Sequence, residues 1–331
     1  MELDKYNQSS FLVIKAAYLY YIAEKPQSEI AQELNVSVTT VSRLLKRAKE
    51  EKIVQFVIRD SYIECIELEA RLKKAFGLDN VIIAPSAFQD DEFDTVSDEE
   101  ANKKLVALEA ARYLQRIIRS GDILGITWGS TVYEMINYLN PAQRVDATFV
   151  TLHGSLSACK DEWDVRTLVH RLTKAFSGKK YAFLSDALMS SSATVEALKK
   201  EKRFAQMYQL FENVDISICG IGSLYPEVTS ILASPKYIED KYRKQLEEKQ
   251  AVGDIALRFF DKDGKECDTD LKERTVSIDF DAYKKIPKKV AIAAGVHKAY
   301  TVYYALKAKL IDVLIVDSKL ATKLIQISEE K

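Results

Sequence analysis

The chain has 331 residues, of which 47% are hydrophobic and 29% are charged, a composition typical of a globular protein with two or three domains. Its 48 basic and 49 acidic side chains give a formal net charge of -1, which excludes a protein that coats nucleic acid through its overall charge. Four widely spaced cysteines without a CxxC pair indicate reduced thiols rather than a disulfide framework or a zinc site.

The first apolar run, at residues 11–23, contains Lys15 and is followed by Glu24 and Lys25, so it is too short and too polar to cross a bilayer. We therefore expect a cytoplasmic protein with no membrane segment, no metal and no cofactor. The segment "FLVIKAAYLYYIAEK" is apolar on all sides except at Lys15, which predicts a buried first helix. A short second helix is predicted after Pro26 in "QSEIAQELN", where apolar residues recur at helical spacing.

A third helix is predicted from Ser37, which is a good N-cap, after a turn that Asn35 favours. Apolar residues at three- and four-residue steps form its inward stripe: Val38, Val41, Leu44 or Leu45, and Ala48. Hydroxyl and basic side chains are left facing outward: Thr39, Thr40, Ser42, Arg43, Lys46 and Arg47. Over residues 36–52 five basic residues oppose two acidic ones, so this segment carries a local surplus of positive charge.

Two short helices joined by a turn, with hydroxyls at the start of the second and basic residues behind them, predict helix-turn-helix geometry. The second helix would place hydroxyls and an arginine against base edges in the major groove, and its later basic side chains against phosphates. "IVQFVIRD", residues 53–60, alternates as a strand and predicts the wing of a winged helix-turn-helix domain at residues 1–60. The DNA-contacting residues expected here are Ser37, Thr39, Thr40, Ser42, Arg43, Lys46 and Arg47.

A generic amphipathic helix with a solvated basic face is the alternative interpretation of this segment. It accounts for the charges, but it does not account for the paired short helix, the turn residues and the trailing strand together. DNA binding is therefore the favoured function of the N-terminal domain.

The remaining residues, 61–331, alternate helical and apolar extended segments. Helices are predicted at residues 62–76 and 102–119, and the acidic segment at residues 86–100 is predicted to be a surface loop. Buried strands are predicted at "VIIA", "ILGI", "TFVTL", "DISICGIG", "VAIAA" and "VLIVD". Strands that alternate with helices predict an α/β domain with a parallel sheet, in which ligands bind beyond the carboxyl ends of the strands.

Glycine-containing loops follow several of these strands and form the candidate ligand site. Glycine lets the backbone approach a ligand, and the free N–H groups at a helix N-terminus suit a phosphate, with Lys298 as a further positive charge. The alternative for "TWGST" is that Ser130 merely caps the following helix. The residues concerned are Gly129, Ser130, Thr131, His153, Gly154, Ser155, Gly222, His297 and Lys298.

The segment "SEIAQELNVSVTTVSRLLKRAKEEKIV" resembles the DNA-binding part of the SorC family of bacterial sugar-responsive transcription regulators, which includes deoxyribonucleoside and central-glycolytic-gene repressors. "GDILGITWGSTVYEM", "VTLHGSL", "AVGDIALRFFDKDGK", "RTVSIDF" and "VAIAAGVHKAYTVYYALKAKLIDVLIVD" resemble the effector domain of the same family, so the resemblance runs from about residue 10 to about residue 325. It implies a winged helix-turn-helix joined to a Rossmann-like domain that is similar to sugar-phosphate isomerases. It also implies a homodimer or homotetramer that represses a carbohydrate or nucleoside operon, binds operator DNA and responds to a phosphorylated sugar.

Two positions depart from the family pattern. Members that capture an aldehyde sugar as an imine have a lysine where this chain has His153, and an imidazole cannot form a Schiff base. We therefore expect reversible, non-covalent effector binding. Ala294-Gly295 replaces a Gly-Gly that is frequent in the family, which narrows the access of a ligand to the backbone beside Lys298.

The sequence leaves the roles of three residues open, and two other functions have to be compared with DNA-binding regulation. Asp254 is expected to accept hydrogen bonds from sugar hydroxyls, with a turn cap as its alternative role, and His153 and His297 are either ligand contacts or structural. A sugar-phosphate isomerase or deaminase with an appended DNA-binding domain is the second function considered, but the sequence has no paired carboxylates at a telling spacing, so we expect no enzyme. "GIGSLYP" breaks the GxGxxG pattern at its last glycine, which disfavours a nucleotide sensor.

Overall fold

The computed structural model describes residues 8–54, 63–85, 96–141, 144–156, 159–230 and 232–330. The chain divides into two compact units, Met1–Ser61 and Tyr62–Lys331. Within the described ranges no helix is long and apolar enough to cross a membrane, and no group of three or more His, Cys, Asp or Glu side chains could hold a metal ion.

The described part of the first unit, residues 8–54, has three helices, α1 (Gln8–Tyr21), α2 (Gln27–Glu33) and α3 (Val38–Glu50). Asn35 has a positive φ of 52° in the turn between α2 and α3, as its residue type favours. The three predicted helices are thus confirmed. Their small core consists mainly of Ala16, Leu19, Ile30, Ala31, Val41 and Leu45.

Two details of this unit differ from the sequence-based prediction. The first helix is not buried on all sides, because the other two helices are short and cover one face of it; Ile14 and Tyr18 remain 51% and 59% exposed. Val38 is 49% exposed, since α3 begins there, one turn before Val41, its first buried position. The predicted wing at residues 53–60 falls almost entirely outside the described residues.

Within its described residues, the second unit has ten strands in two sheets. In chain order they are β1 (Asn80–Ala84), β2 (Ile123–Ile126), β3 (Thr148–Thr151), β4 (Lys179–Tyr181), β5 (Ile216–Gly220), β6 (Gly222–Ser223), β7 (Gly253–Ile255), β8 (Arg258–Phe260), β9 (Lys288–Ala293) and β10 (Val313–Asp317). Seven of them form a parallel sheet in the order β1-β10-β9-β5-β2-β3-β4. The other three, β6-β7-β8, form a small antiparallel sheet.

Helices cover both faces of the large sheet. The described helices of the second unit are α4 (Ile63–Phe76), α5 (Val96–Ile117), α6 (Ser130–Asn137), α7 (Val165–Phe176), α8 (Ser192–Lys200), α9 (Lys202–Phe211), α10 (Asp240–Glu248), α11 (Asp270–Arg274), α12 (Phe280–Lys285), α13 (Ala299–Lys307) and α14 (Ser318–Glu329). One face packs on α5, α6 and α7, and the other on α4, α9, α13 and α14. All five residues of β10 are buried, as expected for a parallel strand that is covered on both faces. The predicted α/β class is confirmed.

Several elements differ from the predicted pattern, among them the small antiparallel sheet β6-β7-β8, which was not predicted. Helix α5 begins at Val96, so residues 96–100 are helical rather than part of a surface loop; residues 86–95 lie outside the described part of the chain. Strand β4, "KKY", was not predicted, because it is an exposed edge strand without an apolar run.

The strand order reverses at the β2–β5 pair. From β2 the chain proceeds outward through β3 and β4, and it then returns to the other side of β2 with β5 and continues through β9 and β10. The loops after β2 and β5 therefore lead away from each other and leave a crevice at the carboxyl ends of these strands. In open α/β sheets such a reversal is the position where ligands bind.

Candidate functional sites

A cleft of about 110 Å³ opens at this reversal, the position where small molecules bind in open α/β sheets. It is bounded by the loop after β2, by the end of β5 and by the start of the small sheet. Six of the residues predicted from the sequence line it together: Gly129, Ser130, Thr131, Gly222, Asp254 and Lys298.

The N-terminus of α6 forms one wall of the cleft. Gly129 occupies the N-cap position with φ 135° and ψ 154°, and no side chain caps the helix. This φ strains any residue with a Cβ, so glycine is required by the backbone here. Ser130 is the first helical residue and not the cap, which contradicts the alternative considered for it. The first N–H groups of α6 consequently lack a side-chain acceptor, an arrangement that favours an anion.

Thr127, directly after β2, joins the loop after β2 to the end of β5 at the base of the cleft. Its Oγ1 accepts a hydrogen bond from the Gly220 N–H at 3.3 Å, and its own N–H donates to the Ile218 carbonyl at 3.3 Å. The start of the loop after β2 is therefore fixed relative to the carboxyl end of β5.

Asp254, on β7, forms the opposite side of the cleft. It is 6% exposed, and its Oδ1 accepts a hydrogen bond from the Ser230 hydroxyl at 2.8 Å. Burial raises the pKa of this carboxyl to about 6, although Ser230 and the charge of Lys298 act in the opposite direction. Gly222 pairs with Asp254 in the small sheet, and a Cβ on Gly222 would lie 2.0 Å from Asp254 Oδ1. Only glycine leaves room for this carboxyl.

Lys298 ends the 3-10 turn Val296–Lys298 that leads into α13. Burial lowers the pKa of its ammonium group; the charge of Asp254 raises the pKa and that of Lys103 lowers it. The cleft thus contains a carboxyl and an ammonium group, both poorly solvated, for which a ligand with complementary charge and hydroxyls would provide partners.

His153 and Gly154 lie behind the cleft and do not line it. His153 is 0% exposed; its Nε2 accepts the Trp128 N–H at 2.9 Å, so its Nδ1 donates to the Gly154 carbonyl at 2.6 Å. Burial lowers the pKa of His153 to about 4, and the ring is neutral at pH 7. A Cβ on Gly154 would lie 2.7 Å from the Asp186 carbonyl oxygen, so this glycine serves close backbone packing.

Ser155 and His297 also lie outside the residues that line the cleft. Ser155 is 1% exposed, and its hydroxyl donates to the Asp164 carboxylate. The His297 side chain is 28% exposed, with Nδ1 3.9 Å from Glu99 Oε1. The structure therefore brings six of the ten predicted residues into the cleft and places four around it.

Several cleft residues were not predicted from the sequence. Thr127 and Trp128 belong to the same "TWGST" loop, whose position after a strand was the available signal. Trp163, Thr229 and Ser230 also line the cleft, but they lie in irregular segments without a strand–glycine–helix pattern. The sequence carried no local signal for those three.

Helix α3 presents the second candidate site. Ser37 caps it, with its Oγ accepting the Thr40 N–H at 3.1 Å. Most of the predicted DNA-contacting side chains are exposed along α3, namely Thr39, Ser42, Arg43 and Lys46, while Thr40 and Arg47 are partly covered. The buried stripe of Val41, Leu45 and Ala48 leaves this polar face free of the core.

Two of the basic residues of α3 form ion pairs within the helix. Arg47 Nε lies 2.5 Å from Glu51 Oε1, and Lys46 Nζ lies 3.7 Å from Glu50 Oε1. Exposed pairs of this i,i+4 type stabilise by only about 0.3–0.5 kcal/mol, so a phosphate can replace the acidic partner at small cost.

A helix-turn-helix unit together with a parallel α/β domain that has a polar cleft at its strand-order reversal defines a DNA-binding transcription regulator with a small-molecule domain. The sugar-binding domain model matches residues 60–326, and the model of sigma-70 region 4 matches residues 15–51, which include α2 and α3. Because the first match covers most of the chain, the chain belongs to this sugar-binding family, the SorC family of transcription regulators. The family resemblance of the sequence is thereby confirmed.

Relatives of this chain are similar over nearly their whole length. The deoxyribonucleoside regulator of Bacillus subtilis is 27% identical over 95% of this chain and 97% of its own. The sorbitol operon regulator of Klebsiella pneumoniae is 27% identical over 95% of this chain and 98% of its own. The crystal structure of the full-length Klebsiella regulator SorC aligns with a TM-score of 0.73 and 26% identity, covering 96% of this chain and 99% of that one.

Proposed function

We propose that the cleft binds a phosphorylated sugar reversibly and that this binding controls the affinity of the helix-turn-helix unit for operator DNA, with repression of a carbohydrate or nucleoside catabolic operon as the result. The observation that carries this proposal is the uncapped N-terminus of α6, which lines one cleft together with Lys298 and the buried Asp254.

The two sides of the cleft suit the two halves of such a ligand. A phosphate fits the first N–H groups of α6, the hydroxyls of Ser130 and Thr131, and the charge of Lys298, because helix dipole and ammonium both favour an anion. Sugar hydroxyls fit Asp254, which has one carboxylate oxygen already bonded to Ser230 and accepts further donors. The complex is proposed to be non-covalent, because His153 occupies the position of the imine-forming lysine and an imidazole cannot form a Schiff base; Lys298 serves as the counter-charge of the phosphate.

The polar face of α3 is the proposed DNA-contacting surface. Thr39, Ser42 and Arg43 occupy its first turns and reach base edges, while Lys46 and Arg47 contact phosphates. Ser37 contributes mainly by capping the helix. Operators read by such helices consist of paired half-sites, so the active species is proposed to be a homodimer or homotetramer.

Control of DNA binding requires that the ligand distinguish two states of the oligomer. A ligand moves an equilibrium from 1:99 to 99:1 only if it binds the favoured state about 10⁴-fold more tightly. The names of the relatives, a sorbitol operon regulator, a deoxyribonucleoside regulator and an erythritol catabolism regulatory protein of Brucella abortus, support sugar-derived effectors.

A sugar-phosphate isomerase or deaminase is the alternative function, and we propose that the chain is not an enzyme. Such chemistry needs a general acid and a general base that reach the substrate. Among the described residues that line the cleft, the titratable side chains are Asp254 and Lys298, and in this proposal both are engaged in holding the sugar hydroxyls and the phosphate. Both ring nitrogens of His153 are engaged in hydrogen bonds, so this imidazole does not serve as the base.

A thermal-shift screen of phosphorylated pentoses and hexoses, each paired with its unphosphorylated form, tests the ligand. A ligand present at 100 times its Kd stabilises the folded state by about 2.7 kcal/mol, so true ligands give clear shifts. Lys298→Gln should weaken the binding of the phosphorylated sugar and leave the binding of its unphosphorylated form unchanged. Lys200→Gln, at an exposed lysine of α8, is the matched control. The absence of any shift with all phosphorylated sugars, or equal shifts with both members of each pair, would overturn the proposal.

The same hits decide between sensor and enzyme. Each hit is incubated with the full chain and the products are analysed; unchanged ligand supports a sensor, and turnover supports the alternative. Fluorescence anisotropy with labelled DNA from upstream of the gene then measures DNA release by the hit. If the hit leaves DNA affinity unchanged, the cleft does not control the DNA-binding unit.

A further inference from the structure

Both tryptophans of the chain line the same cleft, although they belong to different elements. Trp128 lies in the loop between β2 and α6, and Trp163 ends the 3-10 turn Asp161–Trp163 just before α7. Large, rigid aromatic side chains define the shape of a binding site at low cost in conformational entropy. The residues that fix these two side chains therefore control how the cleft fits its ligand.

Trp128 is held through its backbone by His153. The Trp128 N–H donates to His153 Nε2 at 2.9 Å, and the ring is fixed in that orientation by its second hydrogen bond, from Nδ1 to the Gly154 carbonyl. The indole of Trp128 packs edge-on against Tyr237, with the ring centroids 5.7 Å apart. A neutral, fully buried imidazole thus fixes the backbone of the residue that carries this indole.

Trp163 contacts Lys160, whose Nζ lies 4.6 Å from the centroid of its ring, and a separate network fixes Asp164, the residue that follows it. Asp164 caps α7 by accepting the Arg166 N–H at 2.9 Å, and it also accepts Arg166 Nε at 3.0 Å. The Ser155 hydroxyl donates to the same carboxylate and accepts Arg166 Nη2 at 3.0 Å. Although burial alone would raise it, the bonds from Ser155 and Arg166 lower the pKa of Asp164, so this anchor is ionised at pH 7.

His153 and Ser155 belong to one short loop after β3, and this loop is itself fixed. Gly154 N–H donates to the Val276 carbonyl at 2.9 Å, and Ser155 N–H donates to the Ser185 carbonyl at 2.8 Å. The loop therefore offers a rigid reference from which two side chains, two residues apart, reach two different walls of the cleft.

We propose that His153 and Ser155 are positioning residues rather than ligand contacts. His153 sets the loop of Trp128, Ser155 sets Trp163 through Asp164, and the loop after β3 thereby determines the spacing of the two indoles in the cleft. The identity of the ligand rests on the function proposed above, but the positioning of the indoles does not depend on a ligand. It is tested on the free protein.

Tryptophan fluorescence reports each wall separately. In the full chain, Trp163→Phe leaves Trp128 as the single tryptophan, and Trp128→Phe leaves Trp163. His153→Asn should shift the emission maximum and raise the acrylamide quenching of Trp128 while leaving Trp163 unchanged, because an Asn side chain is too short to reach the Trp128 N–H. Ser155→Ala should produce the reverse pattern, with Trp163 changed and Trp128 unchanged.

Conservative variants separate positioning from general destabilisation. His153→Gln places a carbonyl oxygen near the position of Nε2 and should restore the Trp128 signal. Asp164→Asn should reproduce the effect of Ser155→Ala on Trp163, and it replaces that variant if Ser155→Ala does not fold; circular dichroism establishes folding. Equal changes at both tryptophans, no change at either, or no difference between Asn and Gln at position 153 would each overturn the inference. Binding of inorganic phosphate to the unmodified protein tests the proposed function separately. If no phosphate binds, the proposed function is contradicted, but the crossed fluorescence pattern is still expected.

Discussion

Ser230 Oγ and Asp254 Oδ1 form a 2.8 Å hydrogen bond across the edge of the cleft, and the carboxyl that receives it is 6% exposed. One neutral donor does not compensate for burial, so the pKa of Asp254 stays raised, at about 6. The site thus keeps a poorly solvated carboxylate at neutral pH, and this carboxylate has capacity for additional hydrogen-bond donors from a ligand.

The raised pKa of Asp254 makes a prediction about stability. From its ordinary value of 3.8 up to about 6 the folded state holds a proton that the unfolded state has lost, so this group lowers the free energy of unfolding as pH rises through that window. At pH 7 the raised pKa of Asp254 lowers the free energy of unfolding by about 3 kcal/mol. Asp254→Asn should therefore be more stable than the unmodified protein at pH 7, with the difference disappearing near pH 4.

Urea unfolding of both proteins at pH 4, 5, 6 and 7 measures this difference directly. Asp281→Asn, at an exposed aspartate of α12, is the control and should show no such trend. A variant that is less stable than the unmodified protein at pH 7 would show that the charge of Asp254 is stabilised by groups other than Ser230.

For His153 we expect the opposite dependence of the free energy of unfolding on pH, in nearly the same pH range. Its pKa falls from 6.5 to about 4 on burial, so the unfolded state binds the proton first as pH falls. Stability from this group is complete above pH 6.5 and declines toward pH 4, by about 3 kcal/mol. His153→Gln should abolish this decline, and the exposed His170→Gln should leave it intact. Parallel pH profiles for the two variants would contradict the assignment.

The pattern of buried strands could be predicted from the sequence, because strands covered on both faces are nearly continuous apolar runs. "VLIVD" and "ILGI" became β10 and β2 at the predicted positions. The loop that carries Gly129 was predicted from a different local signal, namely glycine and hydroxyl residues between a strand and a helix. Such local patterns were sufficient to place one wall of the cleft.

Features that depend on long-range packing could not be predicted in this way. Ser230 and Trp163 reach the cleft because the strand order reverses at β2 and β5, and no periodicity records that order. His153 and Ser155 occupy a glycine loop after a strand as predicted, but their side chains turn to Trp128 and Asp164. Loop composition predicts proximity to a site and not the direction of a side chain.

Gly222 provides a test of close packing beside the cleft. A Cβ at this position would lie 2.0 Å from Asp254 Oδ1 and 2.6 Å from Ser230 Oγ, so Gly222→Ala must displace the buried carboxyl. Overpacking of this kind costs about 1–3 kcal/mol, and it should also weaken binding of the phosphorylated sugar.

Gly220→Ala is the matched control, because a Cβ at Gly220 meets no atom within 4 Å. Chemical unfolding of the two variants should show a loss for Gly222→Ala only. Equal stability of both would mean that Asp254 and Ser230 move aside without cost, and the carboxyl would then not be fixed as described.

Arg43 and Lys46 lie one turn apart on the exposed face of α3 and should differ in what they contribute to DNA binding. Loss of a base contact costs about 1–3 kcal/mol and relaxes sequence preference, whereas loss of a phosphate contact weakens binding to all sequences and reduces the salt slope by about 1. We expect the first behaviour for Arg43→Ala and the second for Lys46→Ala. Because the cleft belongs to the other compact unit, both variants should retain the affinity for the sugar phosphate.

Fluorescence anisotropy with specific and scrambled DNA over a salt series compares the two variants, and Lys200→Ala is the control. Identical salt slopes and identical preferences for the two variants would show that α3 does not read base edges through Arg43.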